Sequence, residues 1–255
     1  MTERLASFMA ATAKYSRENG FDYWFWTITE QGKIARKKDN HYEFIDLTNE
    51  VDKLMFAMIK DERLPLVMKG DILRFVINFI YGGFYADIDI KINNIRDEFL
   101  SMPYVCGYER DRGAAGLEFP EFVFKRPPIP KPQKVVCTAF FGAPPKSQIN
   151  KEMYEYILDV YADMVKSGRY PAHMWDVCDI TVCPLVRIIN KYPEVNIFPK
   201  EYFFNHPTPV GDMPFTIHHY NGTQLGGWTF DCCSNDQCEG CRDKIGCPVM
   251  RPGKK

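Results

Sequence analysis

The chain has 255 residues, 45% of them hydrophobic and 25% charged, with a formal net charge of −1. This length allows one large α/β domain or two small ones, the composition excludes a disordered chain, and the near-zero charge leaves no electrostatic footprint for nucleic acid. No stretch approaches the roughly 18 consecutive apolar residues of a membrane helix, so no transmembrane segment is expected. Residues 1–20 lack the apolar centre of a secretory signal, and we expect a cytoplasmic protein with most of its nine cysteines reduced.

In chain order, the first segment reads as an amphipathic helix ending at Gly20. "FDYWFWTI", Phe21–Ile28, is an aromatic, strand-prone run, and "YEFIDL", Tyr42–Leu47, a short second strand. "NEVDKLMFAMI" has helical spacing, with Val51, Leu54, Met55 and Met58 on one side. In "PLVMKGDILRFVINFIYGG" the residues Ile72, Phe75, Val76, Phe79 and Ile80 form an apolar stripe. Asp71, Arg74 and Asn78 fall on the opposite one, and Gly82-Gly83 stops the helix. A strand, "FYADIDI", is expected to follow at once, with Tyr85, Asp87 and Asp89 on one face.

The proline-rich Pro120–Lys134 cannot be helix and reads as an extended loop. Its P-x-x-P spelling, Pro127 and Pro130, is weak as a partner ligand. "VVCTAFFGAP" reads as a strand, "NKEMYEYILDVYADMVKSG" as a long helix closed by Gly168, "TVCPLVRIINKY" as a helix and "VNIFP" as a short strand. Interleaved helices and strands argue an α/β fold, residues 1–228, followed by a cysteine-rich tail, residues 229–255.

The chemistry concentrates in "YGGFYADIDI", Tyr81–Ile90. Two aspartates one residue apart on a strand lie on one face, about 6.5–7 Å apart, and their repulsion has to be offset by a cation or a neighbouring arginine. A lone D-x-D is a weak signal, but here a helix carrying Asp71 and Arg74 breaks at Gly-Gly directly before it, which folds Arg74 back toward the pair. The structural alternative for Asp71 and Arg74 is a surface i,i+3 ion pair.

"KGDILRFVINFIYGGFYADIDI" resembles the DXD sugar-binding region of glycosyltransferase family 32, with Lys69, Asp71, Arg74, Gly82, Gly83, Tyr85, Asp87 and Asp89 matching in order and spacing. Yeast initiating α-1,6-mannosyltransferases and, more distantly, clostridial glucosylating toxins share that pattern. "AFFGAPPKSQI" and "FTIHHYNG" are weaker echoes of later segments, and Trp228 is a displaced version of a tryptophan near the family's end.

The resemblance implies a GT-A-like nucleotide-sugar-binding fold with a mixed, mostly parallel sheet. It also implies metal-dependent retaining transfer of a sugar from a UDP- or GDP-sugar donor to a glycan, polysaccharide or other hydroxyl acceptor. In that reading Asp87 and Asp89 hold Mn²⁺ or Mg²⁺, with Asp87 also serving the ribose. His218 of the adjacent His218-His219 pair completes the metal shell, Asp71 and Arg74 hold the donor sugar's hydroxyls, and Tyr85 lines the same pocket. Family members usually open on a strand that nothing here matches well, so either that strand is replaced or the base pocket is built differently, with Trp24 or Trp26 stacking on the base.

Other readings of the same residues remain open. Asp87 and Asp89 could serve a Mg²⁺-dependent phosphohydrolase, although no further acidic or histidine ligands for two-metal chemistry stand out. The tail and the proline loop could make a non-catalytic interaction module on a degenerate transferase fold. Asp176 and Asp179 read either as acceptor-side residues or as helix caps. His41, His173 and His206 read as ordinary histidines. Cys232, Cys233, Cys238, Cys241 and Cys247 contain one C-x-x-C; one zinc site is conceivable, and disulfides or free thiols are the expectation.

Overall fold

The computed structural model describes residues 3–28, 34–38, 41–44, 53–88, 90–111, 134–171, 183–203, 216–218, 228–232 and 248–252. Helix α1, Glu3–Glu18, ends as expected near Gly20, whose φ of 76° suits a residue without Cβ. The aromatic run after it is strand only over β1, Phe25–Ile28. This strand pairs antiparallel with β2, Ile34–Lys38, which in turn pairs with β3, His41–Phe44. Helix α2, Lys53–Lys60, buries Met55, Met58 and Ile59.

Helix α3, Leu66–Tyr81, departs from the amphipathic reading. Its apolar stripe is buried at Ile72, Phe75 and Val76, but so is its polar stripe at Asp71, Arg74 and Asn78. The helix is therefore enclosed on both sides, and Asp71–Arg74 is not a surface pair. Its end matches expectation. The Gly82 N–H donates to the Asn78 carbonyl at 2.9 Å with φ at 67°, and a Cβ there would stand 2.5 Å from the Pro145 ring, so only glycine fits.

Strand β4, Gly83–Ala86, follows at once but stops short of the aspartates. The Asp87 N–H still donates to the Ala139 carbonyl at 2.8 Å, and then the Ile90 N–H closes a turn onto the Asp87 carbonyl at 2.9 Å. The next strand, β5, Ile90–Ile92, belongs to another sheet. The expected continuous strand through both aspartates is thus a strand, a turn and a second strand. The same-face spacing holds from Tyr85 to Asp87, the last of the described residues to which it applies.

The main sheet has the order β4-β7-β6-β8, where β6 is Val105–Asp111, β7 is Lys134–Ala143 and β8 is Ile197–Phe198. Neighbour pairing corrects the expected mostly parallel sheet: among the described residues only β6–β8 is parallel, and both pairs made by β7 are antiparallel. The reason is one strand: β4, β6 and β8 share a direction, and β7 runs against them between β4 and β6. Helix α4, Gln148–Ser167, and helix α5, Cys183–Ile189, follow β7 and lead to β8. The main fold class, helices with a mixed sheet, is α/β.

One core lies on the side of α3 and α4 and takes in Tyr85 and Phe141; the other holds Phe99, Phe140 and Phe203 with Phe84 and Ala86 packed against it. Phe141 stacks on Phe75, Tyr85 and Tyr104 with ring centroids 5.3, 5.4 and 5.8 Å away, which joins α3, β4 and the approach to β6. Buried amides complete the join: Asn150 donates to Asn78 at 2.6 Å, and Asn78 donates to the Gly83 carbonyl at 2.8 Å. Strand β5 pairs with β9, Thr216–His218, and β10, Trp228–Cys232, pairs with β11, Pro248–Pro252.

Candidate active site

Tyr85 and Asp87 alternate toward α3, one residue inside β4 and one just past its carboxyl end. The carboxyl ends of strands that share a direction are where α/β sheets usually place ligands. The Tyr85 hydroxyl donates to Asp87 Oδ1 at 2.6 Å. Arg74, two turns before the end of α3, reaches across to both. Its Nη2 lies 2.5 Å from Asp71 Oδ1 and 3.5 Å from Asp87 Oδ1, and its Cζ lies 5.0 Å from the centre of the Tyr85 ring. Its Nη1 donates to the Thr138 carbonyl at 2.7 Å and to the Thr138 hydroxyl at 2.9 Å. Its Nε is buried without a hydrogen-bond partner.

The electrostatics follow from this enclosure. Burial works against the Arg74 charge, but the Asp71 and Asp87 carboxylates outweigh it and hold the guanidinium above its ordinary range. Arg74 is therefore a permanent cation. Burial, reinforced by the Asp87 carboxylate, pushes the Tyr85 phenol well up, although Arg74 pulls the other way. Tyr85 stays a neutral donor. Arg74 is 7% exposed and Asp71 5%, whereas Asp87 is only half-buried, so the network opens at Asp87.

The expected meeting of Asp71, Arg74, Tyr85 and Asp87 is present. Asp89 lies outside the described residues. His218 is described in its backbone alone: it ends β9 directly opposite Ile90, the residue that closes the Asp87 turn. Trp26 does not join this cluster through its ring, which packs at 5.4 Å on Tyr81, the last residue of α3 and about 10 Å along the axis from Arg74. Trp24 lies beside it, under the Arg36 guanidinium at 4.0 Å. Lys69 is half-buried and sits in the field of Asp61 and Glu62; burial, only partly offset by those carboxylates, draws its ammonium down.

Asp176, Asp179, His173, His206, His219, the proline-rich residues 120–133 and the cysteines at 233, 238, 241 and 247 lie outside the described residues. Cys106 and Cys137 are buried free thiols. Among the described residues no group of three or more His, Cys, Asp and Glu side chains is placed to hold a metal, and no helix is long and apolar enough to cross a membrane. The residue that sequence reasoning missed is Thr138. It sits in a strand-prone run with nothing in its neighbours to mark it.

No family model matches the chain, and no curated protein does.

Proposed function

We propose that the chain is a metal-dependent, retaining glycosyltransferase on a GT-A-like fold, moving a sugar from a UDP- or GDP-sugar to a glycan or other hydroxyl acceptor. The observation that carries this reading is the buried Asp71–Arg74–Asp87–Tyr85 network at the carboxyl end of β4. A purely structural pair needs one carboxylate per guanidinium. Here one buried guanidinium serves two carboxylates and keeps an open Nε donor, and the network it organises reaches solvent at Asp87.

Asp87 supports a hard divalent ion in this reading. Its Oδ1 is committed to Tyr85 and Arg74, its Oδ2 takes no hydrogen bond among the described residues, and carboxylate oxygen suits Mn²⁺ or Mg²⁺. Asp89 and His218 are the further ligands proposed, the latter from its register opposite Ile90. When bound, such an ion stabilises the negative charge of a departing diphosphate. Asp71 and Arg74 orient the donor sugar, with Arg74 Nε taking a hydroxyl oxygen, and Tyr85 holds Asp87 in place.

The test is nucleotide release from a panel of UDP- and GDP-sugars with Mn²⁺, for the unaltered chain and for Asp89→Asn. Release that needs the ion and is lost in Asp89→Asn is the expected result. Release from no donor at all would sink the transferase reading, and near-normal turnover of Asp89→Asn at limiting Mn²⁺ would remove the metal assignment alone.

A further inference from the structure

We infer that Thr138 is a positioning residue: delivered by a bulge in β7, it clamps the Arg74 guanidinium and sets the angle at which Arg74 meets the donor sugar. The clamp stands on geometry alone; its catalytic consequence rests on the glycosyltransferase reading.

Side chains of a regular strand alternate between the two faces of a sheet. Phe141 belongs to the core beside α3, so strict alternation backward along β7 would send Thr138 to the opposite core, with Phe140. The chain avoids this. Ala139 and Phe140, adjacent in sequence, both join the opposite core, as does Cys137, while Val136 returns to the α3 side. The alternation slips once, and Thr138 is re-aimed at α3.

The ladder records the same slip. Cys106 faces Phe141 and Tyr108 faces Val136, so the β7 residues from Cys137 to Phe140 stand against Gly107 alone. Bulges of this kind re-aim side chains and are over-represented beside active sites. The Ala139 N–H turns to Cys137 Sγ at 3.3 Å, and the Thr138 carbonyl accepts from Arg74.

The consequence is a guanidinium that cannot turn. Nη1 is held by both the carbonyl and the hydroxyl of Thr138, which directs Nη2 at Asp71 and Asp87 and leaves Nε as the free donor. Rotation about the Nε–Cζ bond would break both Thr138 contacts together. Without the hydroxyl, the carbonyl alone is a looser hinge.

The experiment compares Thr138→Val, which keeps the branched shape and removes the oxygen, with Thr138→Ser, which restores it. Guanidinium-selective ¹⁵N NMR of the full chain should show separate Nη1 and Nη2 signals for Arg74. Their exchange should quicken by about tenfold or more in Thr138→Val, the scale of one hydrogen bond to a charged group, and recover in Thr138→Ser. Turnover should fall about tenfold in kcat with KM for the donor nearly unchanged, again recovering with serine. Thr138→Ala carries the same readouts should valine prevent folding. Unaltered exchange in Thr138→Val overturns the clamp. Faster exchange with unaltered kcat overturns its catalytic role. An unaltered chain that releases nucleotide from no donor fails the transferase reading, and the NMR comparison still decides the clamp.

Discussion

Two Asp–Arg pairs stand within fourteen residues of each other, Asp61–Arg63 before α3 and Asp71–Arg74 inside it, and they are built on opposite plans. The Asp61 carboxylate is saturated. Its Oδ1 accepts from the Arg63 N–H at 3.1 Å and Nε at 2.8 Å, and its Oδ2 from Arg63 Nη2 at 2.7 Å and the Tyr161 hydroxyl at 3.0 Å. Arg63 is 59% exposed on its side chain and lies over the Tyr170 ring at 4.3 Å. That pair closes a turn and pins it to α4. In the second pair the arginine is the crowded member: two carboxylates, a carbonyl and a hydroxyl converge on it, and it still keeps a buried, unanswered N–H. A buried polar atom without a partner calls for an explanation, and under the proposed function a donor-sugar oxygen would supply one.

The largest effect separating the two plans comes from removing each arginine. Arg74→Ala takes the buried cation away from Asp71, and removing one partner of a buried ion pair costs about 3–5 kcal/mol. Urea unfolding should show that loss, and turnover should vanish with it. Arg74→Lys returns a cation but not the planar fork, so stability should recover in good part while turnover stays low. Normal kinetics in Arg74→Lys would reduce Arg74 to a structural cation. A stability loss in Arg74→Ala no larger than that in Arg63→Ala would erase the distinction drawn from burial.

Much of this contrast was legible from the residues in order, and the parts that were not share a cause. The i,i+3 spacing of Asp71 and Arg74, the Gly-Gly stop and the Tyr85–Asp87 alternation are local rules, and each is met. Burial of the polar stripe of α3 was not legible, because it depends on what packs there from β7 and α4, far along the chain. The turn after Asp87 was missed for a similar reason: "ADIDI" alternates well enough for one strand, but from Ile90 onward the chain pairs with β9. Strand β6 carries Gly107 and a charged end, which hide a central strand from propensity, and Gly107 is required because a Cβ would stand 2.4 Å from the Phe203 ring. Thr138 is the clearest case. Its orientation comes from a slip in register, and register belongs to two strands at once.

The pH dependence of stability gives a smaller separation. The hydrogen bonds from Arg63, against some opposition from burial, lower the Asp61 carboxyl from 3.8 to about 2. A carboxyl depressed in the folded state adds stability that is complete above its unfolded pKa and is lost as pH falls through the folded one. Asp61 should therefore contribute a decline in the urea midpoint between about pH 4 and pH 2, and Asp61→Asn should flatten that part of the profile. Parallel profiles for the two proteins would mean that Asp61 is as well solvated in the folded chain as in the unfolded one.

The smallest effect should come from Arg63 itself, and its salt dependence makes it informative. The Arg63 end of the pair is exposed, although the Asp61 carboxylate is not, so the guanidinium gains little over the solvation it already has, and added salt screens part of what remains. Arg63→Ala should lower the urea midpoint slightly at low ionic strength, and the difference should close as salt rises past the point where the screening length falls below about 10 Å. The Tyr161 hydroxyl, on the buried side of the same carboxylate, should not follow that rule. Tyr161→Phe removes a neutral donor to Asp61 Oδ2 and should cost about 1 kcal/mol at any salt concentration. Unfolding of the two variants and their double across a salt series separates the cases. A salt-independent loss for Arg63→Ala would mean that stacking on Tyr170, rather than screened charge, holds that arginine, and the pair would then be a packing contact carrying a charge.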